Sequence, residues 1–244
     1  MTDSVAPALA GLHGAELDEA LARRFTVADE EVAVGAGGVQ RTFRLRKPAN
    51  ADHLISEADY VMDERLPYWA DLWPSARVLA GALLAEDGRG LRLLEMGCGL
   101  GLDTTAAMSA GFDVTATDYY EDAIHVARGN AARNLGREPA VRMVNWRQWP
   151  ADLGVFDRVI AADVLYEKEY ATLVGDCMAR ALAPDGLALI ADPGRLALPA
   201  FLEHLPEAGL ELVSVDRVPF EEGPVKQEIQ LLRIRRVQPS ASTA

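Results

Sequence analysis

Cysteine is scarce: Cys98 and Cys177 are the only two in 244 residues, and their spacing matches neither a disulfide scaffold nor a metal site. Both read as reduced thiols, which points to a cytoplasmic chain. Histidine is almost as sparse. His13, His53, His125 and His204 are widely scattered, so no His, Cys and acid cluster suggests a metal, and all four are expected at the surface. No apolar run approaches the roughly 18 residues of a membrane span, and the N-terminus lacks the basic-then-apolar order of a signal peptide. Basic residues are outnumbered, 24 against 37 acidic, for a formal net charge of −13. A phosphate backbone needs a basic face, which argues against nucleic acid as a partner. The acidity suits solubility or a basic partner. What is present suffices for a core: 50% of residues are hydrophobic and 25% charged, a globular composition with room for one α/β domain and an elaboration.

The chain is organised around Leu91 to Leu102. An apolar run leads through Glu95 into Gly97, Gly99 and Gly101, which alternate with Cys98 and Leu100; Asp103, Thr104, Ala106 and Ala107 follow. This predicts a buried strand, a tight turn and a helix start capped by Asp103 or Thr104. Glycine suits such a turn because positive φ and close approach of a ligand both require the absence of Cβ. A second strand, Phe112 to Asp118, ends in a carboxylate 17 positions beyond Gly101. In a nucleotide-binding βαβ unit a carboxylate there accepts both hydroxyl hydrogens of a ribose. Glu95 would repel a pyrophosphate but suits an ammonium group, so the implied ligand is a nucleoside with a cationic tail. The stretch closely resembles the seven-strand S-adenosylmethionine methyltransferases. A nicotinamide dehydrogenase would show Gly-x-Gly-x-x-Gly, and position 102 is Leu.

Upstream, residues 1–12 are small and Pro/Ala-rich and read as frayed. Leu17, Ala20, Leu21 and Phe25 recur at helical spacing over Ala15 to Phe25. Alternation in Glu31–Val34 and Gln40–Leu45 around Gly35–Gly38 predicts a hairpin ended by Pro48. Residues 1–65 thus form an N-terminal helix plus β-hairpin extension, expected to act as a lid or substrate platform. A core follows over 66–236, then a disordered tail over 237–244. The stretch Leu66 to Ala76 carries Tyr68, Trp69 and Trp73 and opens a helix running through Val78, Leu79, Leu83 and Leu84. Its rings either pack between extension and core or wall the ligand, where aromatic faces attract cations.

Downstream, Tyr119 to Leu135 predicts a helix closed by Gly136. A third strand, Val141 to Trp146, ends where Asn145 would bond a base edge and Trp146 flank the ring. A fourth strand starts at Asp157 and stops at Asp163, at the carboxyl end where open α/β sheets bind ligands. A helix over Tyr170 to Leu182, a strand over Gly186 to Ala191 and a helix over Leu198 to Ala208 follow. Alternating strands Leu210–Arg217 and Gln227–Arg236 close the chain as an antiparallel pair. The expected fold class is therefore α/β: a Rossmann-like, doubly wound, seven-stranded sheet with one antiparallel edge strand.

Methyl transfer from a sulfonium is an in-line displacement that needs an unprotonated nucleophile held at near-contact distance. Asp163-Val164-Leu165-Tyr166 fits that demand: the carboxylate can steer an ammonium or take up its proton, and the phenol can orient the amine. Equally, Asp163 could cap a helix and Tyr166 pack beneath a lid. Taken together, the Trp-Pro segment, the glycine motif and Asp-x-x-Tyr resemble family 16 of the seven-strand methyltransferases, mostly protein lysine methyltransferases. Tyr68-Trp69-Ala70-x-Leu72-Trp73-Pro74 and Asp192-Pro193-Gly194-Arg195 are most similar to the branch acting on the β-subunit of electron-transfer flavoprotein.

That resemblance implies S-adenosylmethionine as cofactor, with S-adenosylhomocysteine as product. Carried over by position, its contacts would be Trp73, Glu95, Gly97, Gly99, Asp118, Trp146 and Ala162, and the reading of the neighbouring residues adds Trp69, Cys98, Gly101, Tyr119 and Asn145. Asp163 and Tyr166 would face the acceptor, a lysine of a partner protein. A monomer is expected, with a dimer as the alternative, and neither membrane nor nucleic acid as partner. Two other readings stay open: a small-molecule N- or O-methyltransferase, which would want a closed apolar pocket, and a cofactor-binding module without catalysis.

Overall fold

The computed structural model describes residues 9–54 and 67–238. A helix, α1 (Gly14–Arg24), leads into a hairpin of β1 (Val27–Ala36) and β2 (Val39–Pro48). A short 3-10 turn at Tyr68–Ala70 then precedes α2 (Pro74–Leu84), whose first residue is a proline preset for a helix start. The core continues as β3 (Arg92–Met96), α3 (Leu102–Ser109), β4 (Asp113–Asp118), α4 (Glu121–Leu135) and β5 (Ala140–Met143). It ends with β6 (Phe156–Ala162), α5 (Tyr170–Ala181), β7 (Leu182–Asp192), α6 (Leu198–His204), β8 (Leu210–Glu222) and β9 (Val225–Arg236).

The sheet runs β5-β4-β3-β6-β7-β9-β8. Strands β5, β4, β3, β6 and β7 are parallel, and β9 is antiparallel to both its neighbours. The reversed strand β9 thus lies one place in from the edge, which β8 fills. Central β3 sends Leu94 and Met96 to one face and Leu93 to the other, and all three are fully buried. Strands covered on both faces read as continuous apolar runs, which is why this one was legible. On one side Val174, Cys177, Met178 and Phe201 of α5 and α6 pack against the sheet; on the other, Leu79, Leu83, Ala107 and Met108 of α2 and α3 do so. No helix among the described residues is long and apolar enough to cross a membrane.

Several boundaries move for physical reasons. The hairpin is longer than its alternation suggested, because Gly37 and Gly38 alone make the turn with φ of 59° and 84°. Two positive φ values are what a tight hairpin turn demands. Helix α3 is not capped by Asp103 or Thr104: its N-cap is Gly101, and both side chains lie buried in the first turn. The third core strand stops at Met143, and Trp146 begins a 3-10 turn instead. Strand β7 starts at Leu182 rather than Gly186, pairing Phe156 before the register shifts to Arg158↔Leu187. Helix α6 ends at His204, where Pro206 forbids continuation.

The extension departs most from expectation. Val32, Val34, Phe43 and Leu45 of the hairpin pack on Ala80 of α2 and on Leu102 and Ala106 of α3, outside the helical layer. None of residues 9–54 lines the cavity at the carboxyl ends of β3, β4 and β6, and the hairpin braces α2 and α3. Leu9, expected to be frayed, is buried with Leu17, Leu21 and Trp69. His125 is likewise buried, not on the surface, against Arg128, whose Nη1 is 3.0 Å from His125 Nδ1. Of the segments read as frayed or disordered, 1–8 and 239–244 lie outside the described residues.

Asn130 on α4 ties the brace to the core. Its Nδ2 donates to Arg46 O of β2 and to Leu100 O of the glycine turn, both at 2.9 Å, while its Oδ1 accepts from Arg46 N at 2.7 Å. Asn130→Ala would orphan these buried backbone groups. It is expected to cost about 2 kcal/mol of stability, read as a lower midpoint in urea unfolding.

Candidate active site

A hollow of about 200 Å³ opens at the carboxyl ends of β3, β4 and β6. Its floor is the glycine turn. The N–H groups of Gly97 and Cys98 both donate to Thr117 O at 2.9 Å, which bends the chain away from β3. Gly97 has a φ of 78°, and a Cβ there would point between Val164 and the Trp146 ring, 3.4 and 3.7 Å away, into ligand space. Gly101, with a φ of 76°, lets α3 approach α4 so closely that a Cβ would meet Ala127 Cα at 2.6 Å.

Asp118, buried at the tip of β4, accepts from Gly99 N and from Tyr120 N, each at 3.0 Å. It thereby joins the glycine turn to the start of α4, and each oxygen keeps lone-pair capacity for a hydroxyl donor. Burial pushes its carboxyl above the ordinary value despite those N–H bonds. Glu95 is 2% exposed and accepts from Thr104 Oγ1. Burial, reinforced by the charge of Asp118, pushes it up to about 8. Asp103 is also buried, and burial with the nearby Glu95 raises it well above the ordinary value; its Oδ1 has no hydrogen-bond partner. Three clustered acids without a counter-ion among the described residues, Asp103 and Asp118 on the cavity wall and Glu95 beneath the turn, make a negative site that a cationic group would relieve. The donor set therefore fits a nucleoside with a cationic tail.

This makes a pH prediction for the ligand-free protein. The folded value of about 8 for Glu95 lies above its ordinary 4.5, so the folded state binds a proton that the unfolded state releases between them. The associated stability is fully present below about 4.5 and is lost as pH rises through about 8. The thermal midpoint is expected to fall from mildly acid pH toward 8, and Glu95→Gln, which cannot titrate, to flatten that fall.

The same cavity is lined by a row of edge-to-face rings. Centroid separations are 6.0 Å for Trp73–Tyr68, 5.3 Å for Tyr68–Tyr166, 5.1 Å for Tyr166–Tyr170 and 5.5 Å for Tyr170–Trp146. Tyr166 keeps 38% of its surface exposed, while enclosure of the rest and the neighbouring Tyr170 raise its phenol. Trp69 packs differently, buried beside Leu9, Leu17 and Leu100, with its ring 6.1 Å from Phe25. At the tip of β6, Asp163 is buried and has a φ of 58°. Its Oδ2 accepts from Ser75 Oγ at 3.2 Å and its Oδ1 from Arg195 Nε at 2.6 Å.

Of the residues singled out from sequence, Trp69, Trp73, Gly97, Cys98, Gly99 and Asp118 line the cavity, as do Tyr119, Asn145, Trp146, Ala162, Asp163 and Tyr166. Glu95 and Gly101 do not: Glu95 points into the helix face beneath the turn, and Gly101 closes against α4. Asn145 Oδ1 accepts from Arg147 N at 3.0 Å, which fixes the side chain beside Trp146. Sequence reasoning missed Asp103 and Tyr170 as lining residues, and Ser75 and Arg195 as partners of Asp163. Asp103 had a signal, an acid two positions past the last glycine; Ser75 had none.

A model of the methyltransferase domain matches residues 65–234. Among curated proteins, the chain is 32% identical over 133 residues to the electron transfer flavoprotein beta subunit lysine methyltransferase of Xenopus laevis, covering 53% of each chain. It is 37% identical over 110 residues to a ubiquinone biosynthesis O-methyltransferase of Caulobacter sp. (strain K31), covering 43% of this chain and 42% of that one. The matches thus span about half the length of these relatives. Among solved structures, magnesium protoporphyrin IX methyltransferase from Synechocystis PCC 6803 superposes with a TM-score of 0.56 at 20% identity, over 76% of this chain and 94% of that one. That likeness concerns the fold.

Proposed function

The chain belongs to the methyltransferase-domain family, and from that premise we propose that it transfers the methyl group of S-adenosylmethionine to a lysine side chain of a partner protein. The observation that carries this reading is the ring row from Trp73 to Trp146 lining the same cavity as the Asp163 carboxylate. Aromatic faces beside a carboxylate suit an amine on a long aliphatic stem. The lysine methyltransferase relative supports the same acceptor.

S-adenosylmethionine supplies, when bound, an electrophilic methyl group on a sulfonium. Around it Asp118 would accept from the ribose hydroxyls, Asn145 and Trp146 would hold the base, and Gly97 and Gly99 would admit the ligand to the backbone. Asp103 and Glu95 would balance its ammonium group, and the Trp73 face its sulfonium. On the acceptor side, Tyr166 orients the amine, and Asp163 accepts one of its N–H hydrogens. Both carboxylate oxygens of Asp163 are already engaged, so it serves as an aligned acceptor, while the proton of the ammonium leaves to water. The two free, buried cysteines fit a cytoplasmic protein.

A small-molecule acceptor is the second reading, favoured by the O-methyltransferase relative. Calorimetric titration with S-adenosylhomocysteine, with NAD as control, tests the cofactor: micromolar binding of the first alone is expected. Labelled cofactor in a lysate should then mark a protein band. Label only in the low-molecular-mass fraction would overturn the protein acceptor, and no binding of S-adenosylhomocysteine would overturn the methyltransferase itself.

A further inference from the structure

The Asp192-Pro193-Gly194-Arg195 segment forms a turn built on a buried carboxylate. Asp192 Oδ1 accepts from Gly194 N and Arg195 N, each at 2.7 Å, and Gly194 has a φ of 92°. The turn aims Arg195 at two walls of the cavity at once. Its Nε donates to Asp163 Oδ1 at 2.6 Å, and its guanidinium lies 5.3 Å from the centroid of the Trp73 ring. Arg195 does not itself line the cavity, whereas Asp163 and Trp73 do.

Asp163 needs such a holder. It is the one non-glycine residue at positive φ among those described. A side chain in that conformation persists where its surroundings over-determine it. Three contacts do so: Asp163 N donates to Ala191 O at 2.9 Å, Ser75 bonds one carboxylate oxygen, and Arg195 bonds the other. The flat guanidinium can bond a carboxylate edge-on while stacking on a ring, a combination that an ammonium lacks.

We propose that Arg195 is a positioning residue for methyl transfer, clamping the Asp163 carboxylate against Trp73 in the orientation that receives the acceptor amine. The inference rests on the proposed function for its activity readout. Its structural part, the coupling of Arg195 to Asp163, does not depend on the acceptor.

The test uses the full chain as wild type, R195A and R195K. R195A is expected to bind S-adenosylhomocysteine within about threefold of wild type while kcat falls about 100-fold and KM changes less than about threefold. Added guanidinium should restore about tenfold of the lost rate in R195A, and R195K should stay closer to R195A than to wild type. A loss that lies in KM alone, an unchanged or raised kcat, or a folded R195A that guanidinium fails to rescue would overturn the proposal. Should R195A not fold, R195K supplies the kcat and KM comparison. Independently of any acceptor, a thermal-stability cycle of D163N, R195Q and the double variant should be clearly non-additive. Additivity there overturns the clamp, whereas failure of the wild type to methylate any protein would overturn only the acceptor.

Discussion

Asp118→Ala is expected to weaken binding of S-adenosylhomocysteine by about 1.5–3 kcal/mol, roughly a 10- to 150-fold rise in Kd, the loss of a charged hydrogen bond to the ribose. The carboxylate has two tasks. It accepts from Gly99 N and Tyr120 N, and so shapes the turn that admits the ligand. It would also receive the ribose hydroxyls with its remaining lone pairs. Alanine removes both, so Asp118→Asn is the informative companion. The amide keeps one acceptor oxygen for the backbone but loses the charge, and it is expected to retain the thermal midpoint better than alanine while still losing affinity. Calorimetry on both variants checks this. Unchanged affinity in Asp118→Ala would remove the ribose assignment, and a loss confined to stability would make Asp118 a residue of the turn only.

Why these groups could be found from sequence, and others not, follows from the range of the signals. The glycine turn and the carboxylate at the tip of β4 sit in short stretches whose spacing reflects local backbone demands: positive φ at Gly97, Gly99 and Gly101, and a strand that must end at a ligand. The doubly wound class was legible too, because alternation of strand and helix limits the sheet to few topologies, whereas the place of the reversed strand, one in from the edge, was not. The side on which Glu95 points was not. It shares the inward face of β3 with Leu93, and only the packed helix above shows that Thr104 is its partner. Tyr166 and Tyr170 are four positions apart, but a turn rather than a helix joins them, so their edge-to-face contact does not follow from helical periodicity. The pairing of Asp163 with Arg195 spans 32 positions and depends on β7 lying beside β6. The place of the hairpin is likewise a tertiary fact. Its alternating face predicts burial of Val32 and Phe43, and the helices they meet are fixed only by the fold.

Asp163→Ala is expected to lower kcat/KM for methyl transfer by about 10²- to 10³-fold, the range for loss of one preorganised hydrogen-bonding group at a reacting centre. Affinity for S-adenosylhomocysteine should stay within about tenfold, since the proposed role of the carboxylate is on the acceptor side. Three effects are mixed in alanine: the acceptor for the amine is lost, Arg195 loses its partner, and a left-handed backbone position with a φ of 58° keeps a residue poorly suited to it. Asp163→Asn separates them. Asparagine tolerates the left-handed region, fills the same volume and can still accept from Ser75, but it cannot form the ion pair. If the carboxylate is what matters, asparagine stays nearly as inactive as alanine while recovering thermal stability. If activity returns with the backbone, Asp163 acts through the shape of the β6 tip and the amine is received elsewhere, at a phenol of the ring row. A collapse of cofactor affinity in both variants would instead place Asp163 in the cofactor site.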